Sequence, residues 1–312
     1  MGILGFIARR LLLAVPVFVG VTLVTFVLMQ IVPGDPVALL MEEKVASVDP
    51  DAARIIRAKW GLDDPVPLQY LKFLRNAVRG DLGISYRTDR SVLASILERV
   101  PATATLAVAA LGLAILIGVA TGIIAALRQN TMFDSASIIF ATIGVSIPNF
   151  WLGLLLIYLL AVQWRWLPPS GYGPAYPYLI MPAITLGTAL SAVIARLTRS
   201  SMLDVIRADY IRTARAKGVP ERAVILRHGV RSAITPIVTA AGLDIGVLLG
   251  GAILTETIYS WPGVGRLLTD SISSRDYATV QGVVFIFAVS LIVVNLVTDV
   301  VYAYVDPRIR YD

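Results

Sequence analysis

The stretch ADYIRTARAKGVPERAVILRHGVRSAITP, residues 208–236, is polar and basic and holds no long apolar run. On either side lie apolar segments, 179–197 and 234–258, each of a length that crosses a ~30 Å hydrocarbon core. A soluble hinge enclosed by membrane spans needs a physical reason. Two readings fit it: a socket by which a separate motor grips the membrane part, or an ordinary solvated basic loop held near anionic lipid. Residues 209–217 have the pattern of a short helix, which Gly218 can end by adopting φ > 0. Pro220 suits the first turn of a second helix running over 221–231. Thr213, Ala214 and Ala216 give the first helix a small face beside the bulkier Tyr210 and Ile211, a shape that seats in a groove on a partner.

Composition extends this reading to the whole chain. Of 312 residues, 57% are hydrophobic and 15% charged, well below the roughly 25% of a soluble domain. An integral membrane protein follows. The chain has no cysteine, which excludes disulfides and thiolate metal sites, and its single histidine, His228, excludes a multi-histidine centre. The net charge of +6 does not form a soluble patch for nucleic acid; the basic residues sort by membrane side.

Six spans are predicted: 11–32, 102–127, 133–162, 179–197, 234–258 and 280–304. In lipid each backbone polar group must be satisfied internally, so the spans are helices. Residues 196–231 carry nine basic side chains against three acidic, and Arg9, Arg10, Arg128, Arg308 and Arg310 fall on the same side. That bias places this loop and both termini in the cytoplasm. Residues 34–99 carry ten basic and ten acidic side chains, the balance of an outer segment. Helices are predicted there over 50–60, over 66–78 with a stripe of Leu68, Leu71 and Leu74 beside Tyr70 and Phe73, and over 91–100. The organisation is a first span (1–32), a small helical extracytoplasmic cap (33–100), a core of five spans (101–304) with the loop at 198–233, and a cytoplasmic tail (305–312).

Small residues recur every four positions in three spans: Ala110, Ala114, Gly118 and Gly122; Ala183, Gly187, Ser191 and Ala195; Gly242, Gly246 and Gly250. Such stripes let helices approach closely in lipid, although small residues are also common in membrane helices generally. The first and sixth spans, apolar all round, are expected to face lipid. Pro148-Asn149 is expected to kink the third span.

No catalytic pattern is present: no H-E-x-x-H, no G-x-S-x-G, no phosphate-binding G-x-x-x-x-G-K-[ST]. If the chain does work, the energy comes from elsewhere. An ionisable group in mid-span costs about 2.5–3.5 kcal/mol, so Asp244 is either a translocation-path residue or a structural partner for a buried polar group. Glu256, near the outer end of the same span, is a further path candidate with shaping of the gate or of the docking surface as its alternative, and Asn149 and Asn295 are others with a packing or kink role as theirs. A proton-driven carrier using Asp244 is the competing class; it would need no motor socket.

RTARAKG at 212–218 resembles the loop of ABC-importer permeases in which Glu-Ala-Ala precedes a glycine; here the triplet is Arg-Thr-Ala, and Pro236 lies further from the glycine than in the basic pattern. Both departures match the dipeptide and oligopeptide subfamily. VPGDP (32–36), GLDDPVPLQYLKFL (61–74), RGDLGISY (79–86), WLPPSGY (166–172), GGAILTETIYSWPGVGRLL (250–268) and the DPRIRYD ending are similar to the same subfamily's B-type subunit. The resemblance implies the type I ABC-importer permease fold, all-α with six transmembrane helices. It implies one of two different permease subunits, a C-type partner, two ATPase subunits that carry ATP and Mg, and an extracytoplasmic substrate-binding protein. This chain would bind no cofactor of its own. By carry-over, Tyr210, Arg212, Thr213, Ala214, Ala216, Lys217 and Gly218 would meet the ATPase as a coupling helix. The implied cargo is di- or oligopeptide, with nickel and glutathione as related alternatives, crossing a bacterial cytoplasmic membrane.

Overall fold

A computed structural model describes residues 3–31, 63–173, 177–230 and 250–305, together with Val37, Arg54, Arg57, Ala233 and Leu248. Among the described residues the only extended pairing is an isolated bridge between Ile84 and Ser91. The remaining regular structure is helical. Two compact units are present, residues 1–101 with 263–293, and residues 102–262 with 294–312.

In the first unit α1 (Ile3–Ile31) is a long apolar helix with Leu12, Leu13, Leu28 and Ile31 turned outward. Apolar side chains on the outside invert the arrangement of a soluble helix, as a lipid solvent requires. Helix α2 (Val66–Ala77) begins with Pro67 in its first turn, where a missing N–H costs nothing. Its inward face is Tyr70, Phe73, Leu74 and Ala77, at i, i+3, i+4, i+7 spacing. This corrects the expected stripe, since Leu68 and Leu71 are exposed. The aromatic rings decide the face: Tyr70 packs against Phe26 with the rings tilted and bonds Thr22, and Phe73 meets Phe285 edge-on. Helix α3 (Val92–Leu97) is N-capped by Ser91, whose hydroxyl accepts from the Ala94 N–H. Helix α10 (Val264–Ser273) and the first part of α11 (Tyr277–Val305) complete this unit. The buried Asp276 carboxylate accepts from the Ser85 hydroxyl, the Tyr86 N–H and the Thr279 hydroxyl, tying the turn at 80–91 to the start of α11. Burial, and secondarily the Asp276 charge, pushes the Tyr86 phenol up to about 12.

The second unit is built on α4 (Val100–Leu127) and α7 (Pro177–Ile206). They run parallel and touch along the small-residue stripes. A Cβ on Gly187 would lie 2.8 Å from the Ala110 carbonyl, one on Gly118 2.8 Å from Ile194, and one on Gly122 2.6 Å from both the Ala195 carbonyl and Thr198 Cβ. Ala110 and Ala114 are fully buried in the same seam, with Leu186, Leu190 and Ile194 around them. Thr198 Oγ1 is buried there with no hydrogen-bond partner among the described residues. The third stripe differs: Gly250 is exposed with open space around it, and Gly251 instead faces Leu186. Gly242 and Gly246 lie outside the described residues.

Among the described residues, four helices are long and apolar enough to span a membrane. Helix α5 (Met132–Ser146), followed by α6 (Asn149–Leu156) and the π-helical turn Ile157–Gln163, is long and apolar enough only when the two halves are taken together. The expected kink at Pro148 is a complete break: Ile147 and Pro148 are extended and the two halves bend by 101°. Proline excludes the α conformation from the residue before it, which explains why the helix stops at Ser146. Most of the predicted fifth span, 234–258, the PGDP turn and the tail at 306–312 lie outside the described residues, as does the helix predicted over 50–60 except for Arg54 and Arg57.

Candidate functional site

The polar hairpin follows directly from α7. Val205 and Ile206 close that helix, Ala208 is extended, and α8 (Asp209–Ala216) begins with Asp209 in its first turn, where a negative charge favours the helix dipole. Only Ile211 is fully buried; it pins one face of α8. Tyr210, Arg212, Thr213, Ala216, Lys217 and Gly218 are exposed and Ala214 is half-buried. The seven residues expected to meet a motor thus form one continuous surface of a short helix and its cap.

Gly218 ends the helix as expected, at φ +75°. The Gly218 N–H bonds to the Arg215 carbonyl and the Val219 N–H to the Ala214 carbonyl, the paired 5→2 and 6→1 bonds of a Schellman cap. A Cβ at Gly218 would meet nothing within 4 Å, so the backbone conformation, not space, requires glycine. Glu221 then accepts two bonds from Arg215 across the turn, at 2.6 and 3.1 Å. The Arg215 hydrogen bond holds the Glu221 carboxyl below its ordinary range. The return segment is α9 (Glu221–Ala223), continued as the π-helical Val224–Val230 and not as the regular α-helix expected over 221–231. His228, in that turn, is half-buried.

The hairpin is rooted in the membrane helices. Met202 of α7 is fully buried, packs with Ala126 and Ala233, and its methyl lies 3.3 Å from where a Cβ on Gly229 would stand. Arg207 reaches Gln129 at 3.3 Å in the turn after α4. About two turns before Arg207, Arg199 makes two bonds to Asp134 of α5, at 2.5 and 2.8 Å, while Asp134 also accepts the Asn130 N–H. Sequence reasoning missed this pair by counting Arg199 only toward orientation. A signal existed, because Asp134 is the single acidic residue between Val100 and Gln163.

Three of the four path candidates are among the described residues. Glu256 is fully buried and accepts the Thr103 hydroxyl at 2.6 Å; the chain beyond it is fixed by Trp261, whose indole N–H bonds the Ala102 carbonyl. Asn149 is half-buried at the start of α6, its amide 3.7 Å from where a Cβ on Gly251 would stand. Asn295 is exposed on α11. Asp244 lies outside the described residues.

Residues 118–311 match the family of binding-protein-dependent transport system inner membrane components, and residues 3–107 match that system's membrane component N-terminal family. The chain belongs to this family. It is a permease subunit of an ABC importer and a multi-pass protein of a bacterial inner membrane. The chain is 43% identical to the di/tripeptide transport system permease protein DppB of Pseudomonas aeruginosa, over 99% of both chains. It is 42% identical to the dipeptide transport system permease protein DppB of Escherichia coli K12, again over 99% of each. The glutathione transport system permease protein GsiC of the same organism matches equally, at 42% over 99% of both. Among solved structures, the MetNI methionine ABC transporter in an inward-facing conformation aligns with a TM-score of 0.54 at 16% identity, over 68% of this chain and 96% of that one. An amino acid ABC transporter aligns at 0.51 and 18% identity, over 68% and 94%. These likenesses establish the type I importer fold.

Proposed function

We propose that the chain forms half of a translocation path for di- or oligopeptides, driven by ATP hydrolysis on two separate ATPase subunits that hold α8. The observation that carries this reading is the capped, exposed helix of residues 209–218, rooted through Met202 on the helix that lines the small-residue seam. A cap with a fixed φ and a cross-turn ion pair keeps the hairpin rigid enough to transmit a displacement. The force then passes into α7 and, through the Gly118, Gly122 and Gly187 contacts, into α4. Two arrangements biased by nucleotide binding on the motor would open the path alternately to each side.

Peptide is favoured as cargo by full-length identity to two di- and tripeptide permeases. Glutathione, itself a small peptide, is the second reading because a glutathione permease is equally similar. The remaining organisation follows the sequence: cytoplasmic termini and hairpin, an extracytoplasmic cap over 33–100 to receive a binding protein, and no cofactor held by this chain. A second, homologous permease subunit would cover the exposed apolar face beside the helix break, where Phe140, Ile143, Phe150 and Trp151 stand open. Substituting Ala214 by Trp in the assembled transporter should abolish ATP-driven peptide uptake while the subunit still inserts in the membrane. Full uptake in that variant would remove α8 from the mechanism.

A further inference from the structure

Between α4, α5 and α7 lies a cleft of about 320 Å³. That is the lower end of the volume range of small-molecule sites. Gly122, Ala125, Ala192 and Ala195 leave the room for it. Its lining includes hydroxyl and guanidinium groups. Four hydroxyls border it, but each donates to its own helix: Thr121 to the Ile117 carbonyl, Ser137 to Phe133, Thr142 to Ile138 and Ser146 to Thr142. They offer acceptor lone pairs and no proton. The donors come from Arg196 and Arg199. Arg199 is already neutralised by its two bonds to Asp134. Arg196 is exposed, and no carboxylate among the described residues pairs with it. An unneutralised guanidinium beside an apolar, small-residue gap selects for one negative charge with planar or tetrahedral oxygens. The apolar flanks, Ile138 and Val145, select for an apolar segment next to it.

We propose that this cleft binds a single oxyanion carried on a small apolar body, anchored by Arg196. Two molecules available to the chain share that chemistry: the C-terminal carboxylate of a short apolar peptide and the phosphate of an anionic phospholipid. Arg199 is a positioning residue, held by Asp134 so that its charge does not compete for the ligand. The peptide arm rests on the import reading above; the lipid arm does not.

The test uses the complete transporter with its ATPase subunits in lipid nanodiscs, without nucleotide. In discs of zwitterionic lipid, saturation-transfer NMR with Ala-Phe and with its C-terminal amide reads the peptide arm. In discs with one-fifth phosphatidylglycerol, native mass spectrometry counts the anionic lipid retained. Loss of a charge-assisted contact predicts about tenfold weaker binding in Arg196→Gln and partial recovery in Arg196→Lys. Ala141→Leu fills the cleft while leaving Arg196 in place, and should weaken the same ligand. A signal for Ala-Phe but not its amide assigns the peptide carboxylate; loss of retained phosphatidylglycerol in Arg196→Gln assigns the lipid. If neither probe distinguishes wild type from Arg196→Gln and Ala141→Leu in assembled complexes, the site does not exist and Arg196 serves orientation alone. Because no ATP is present, this outcome is separate from any failure of ATP-driven uptake.

Discussion

Replacing Gly218 in a graded series tests the role of the hairpin cap. At φ +75°, with no atom within 4 Å of a Cβ, the cost of a side chain is conformational and not steric. Alanine in the left-handed region costs about 1–2 kcal/mol, asparagine less because its side chain bonds locally. Proline cannot reach that φ at all and also deletes the N–H that bonds the Arg215 carbonyl. A penalty of about 3 kcal/mol or more is expected for proline, which would shift the capped state by more than two orders of magnitude. The expected order of ATP-driven uptake in proteoliposomes is therefore glycine, asparagine, alanine, then proline, with proline inactive. Deuterium exchange of residues 213–219 should rise in the same order. Asparagine as damaging as proline, or full uptake in all three variants, would refute the claim that the cap geometry carries coupling.

Three further perturbations separate packing from mechanism. Asp134→Ala leaves Arg199 unpaired and should cost about 3 kcal/mol, read as a fall in thermal stability of the detergent-solubilised complex, whereas Asp134→Leu with Arg199→Met should recover most of it. Gly122→Ala places a methyl 2.6 Å from the Ala195 carbonyl and should destabilise by about 1–3 kcal/mol, while Gly112→Ala in the same helix meets nothing and should be neutral or better. Thr198→Val removes a buried hydroxyl with no partner at nearly equal volume; thermal stability should rise by about 1 kcal/mol, and a fall would mean the hydroxyl is satisfied by a partner subunit or water.

The long apolar helices among the described residues and the helix of the hairpin were legible because they follow from local rules: apolar length, and glycine after a short polar helix. Gly218 is the clearest case, since its φ is imposed by the turn alone. The small-residue seam of Ala110, Gly118, Gly122 and Gly187 was legible because helices in lipid can close only where side chains are small. What escaped depended on tertiary partners. The face of α2 was misjudged because Tyr70 and Phe73 choose it through Phe26 and Phe285, which are far away in sequence. Asp134 and Arg199 are 65 residues apart, and charge counting treats each as independent. The break at Ile147–Pro148 was seen as a kink because proline fixes where a helix stops but not the angle at which the chain resumes.

Whether this permease works only as part of an ATP-driven assembly is decided by dipeptide uptake into proteoliposomes, with the permease present alone or together with its partner permease, ATPase subunits and binding protein. Uptake is expected only in the complete system and only with ATP on the hairpin side. Accumulation by this chain alone under a pH gradient, without ATP, would contradict that expectation.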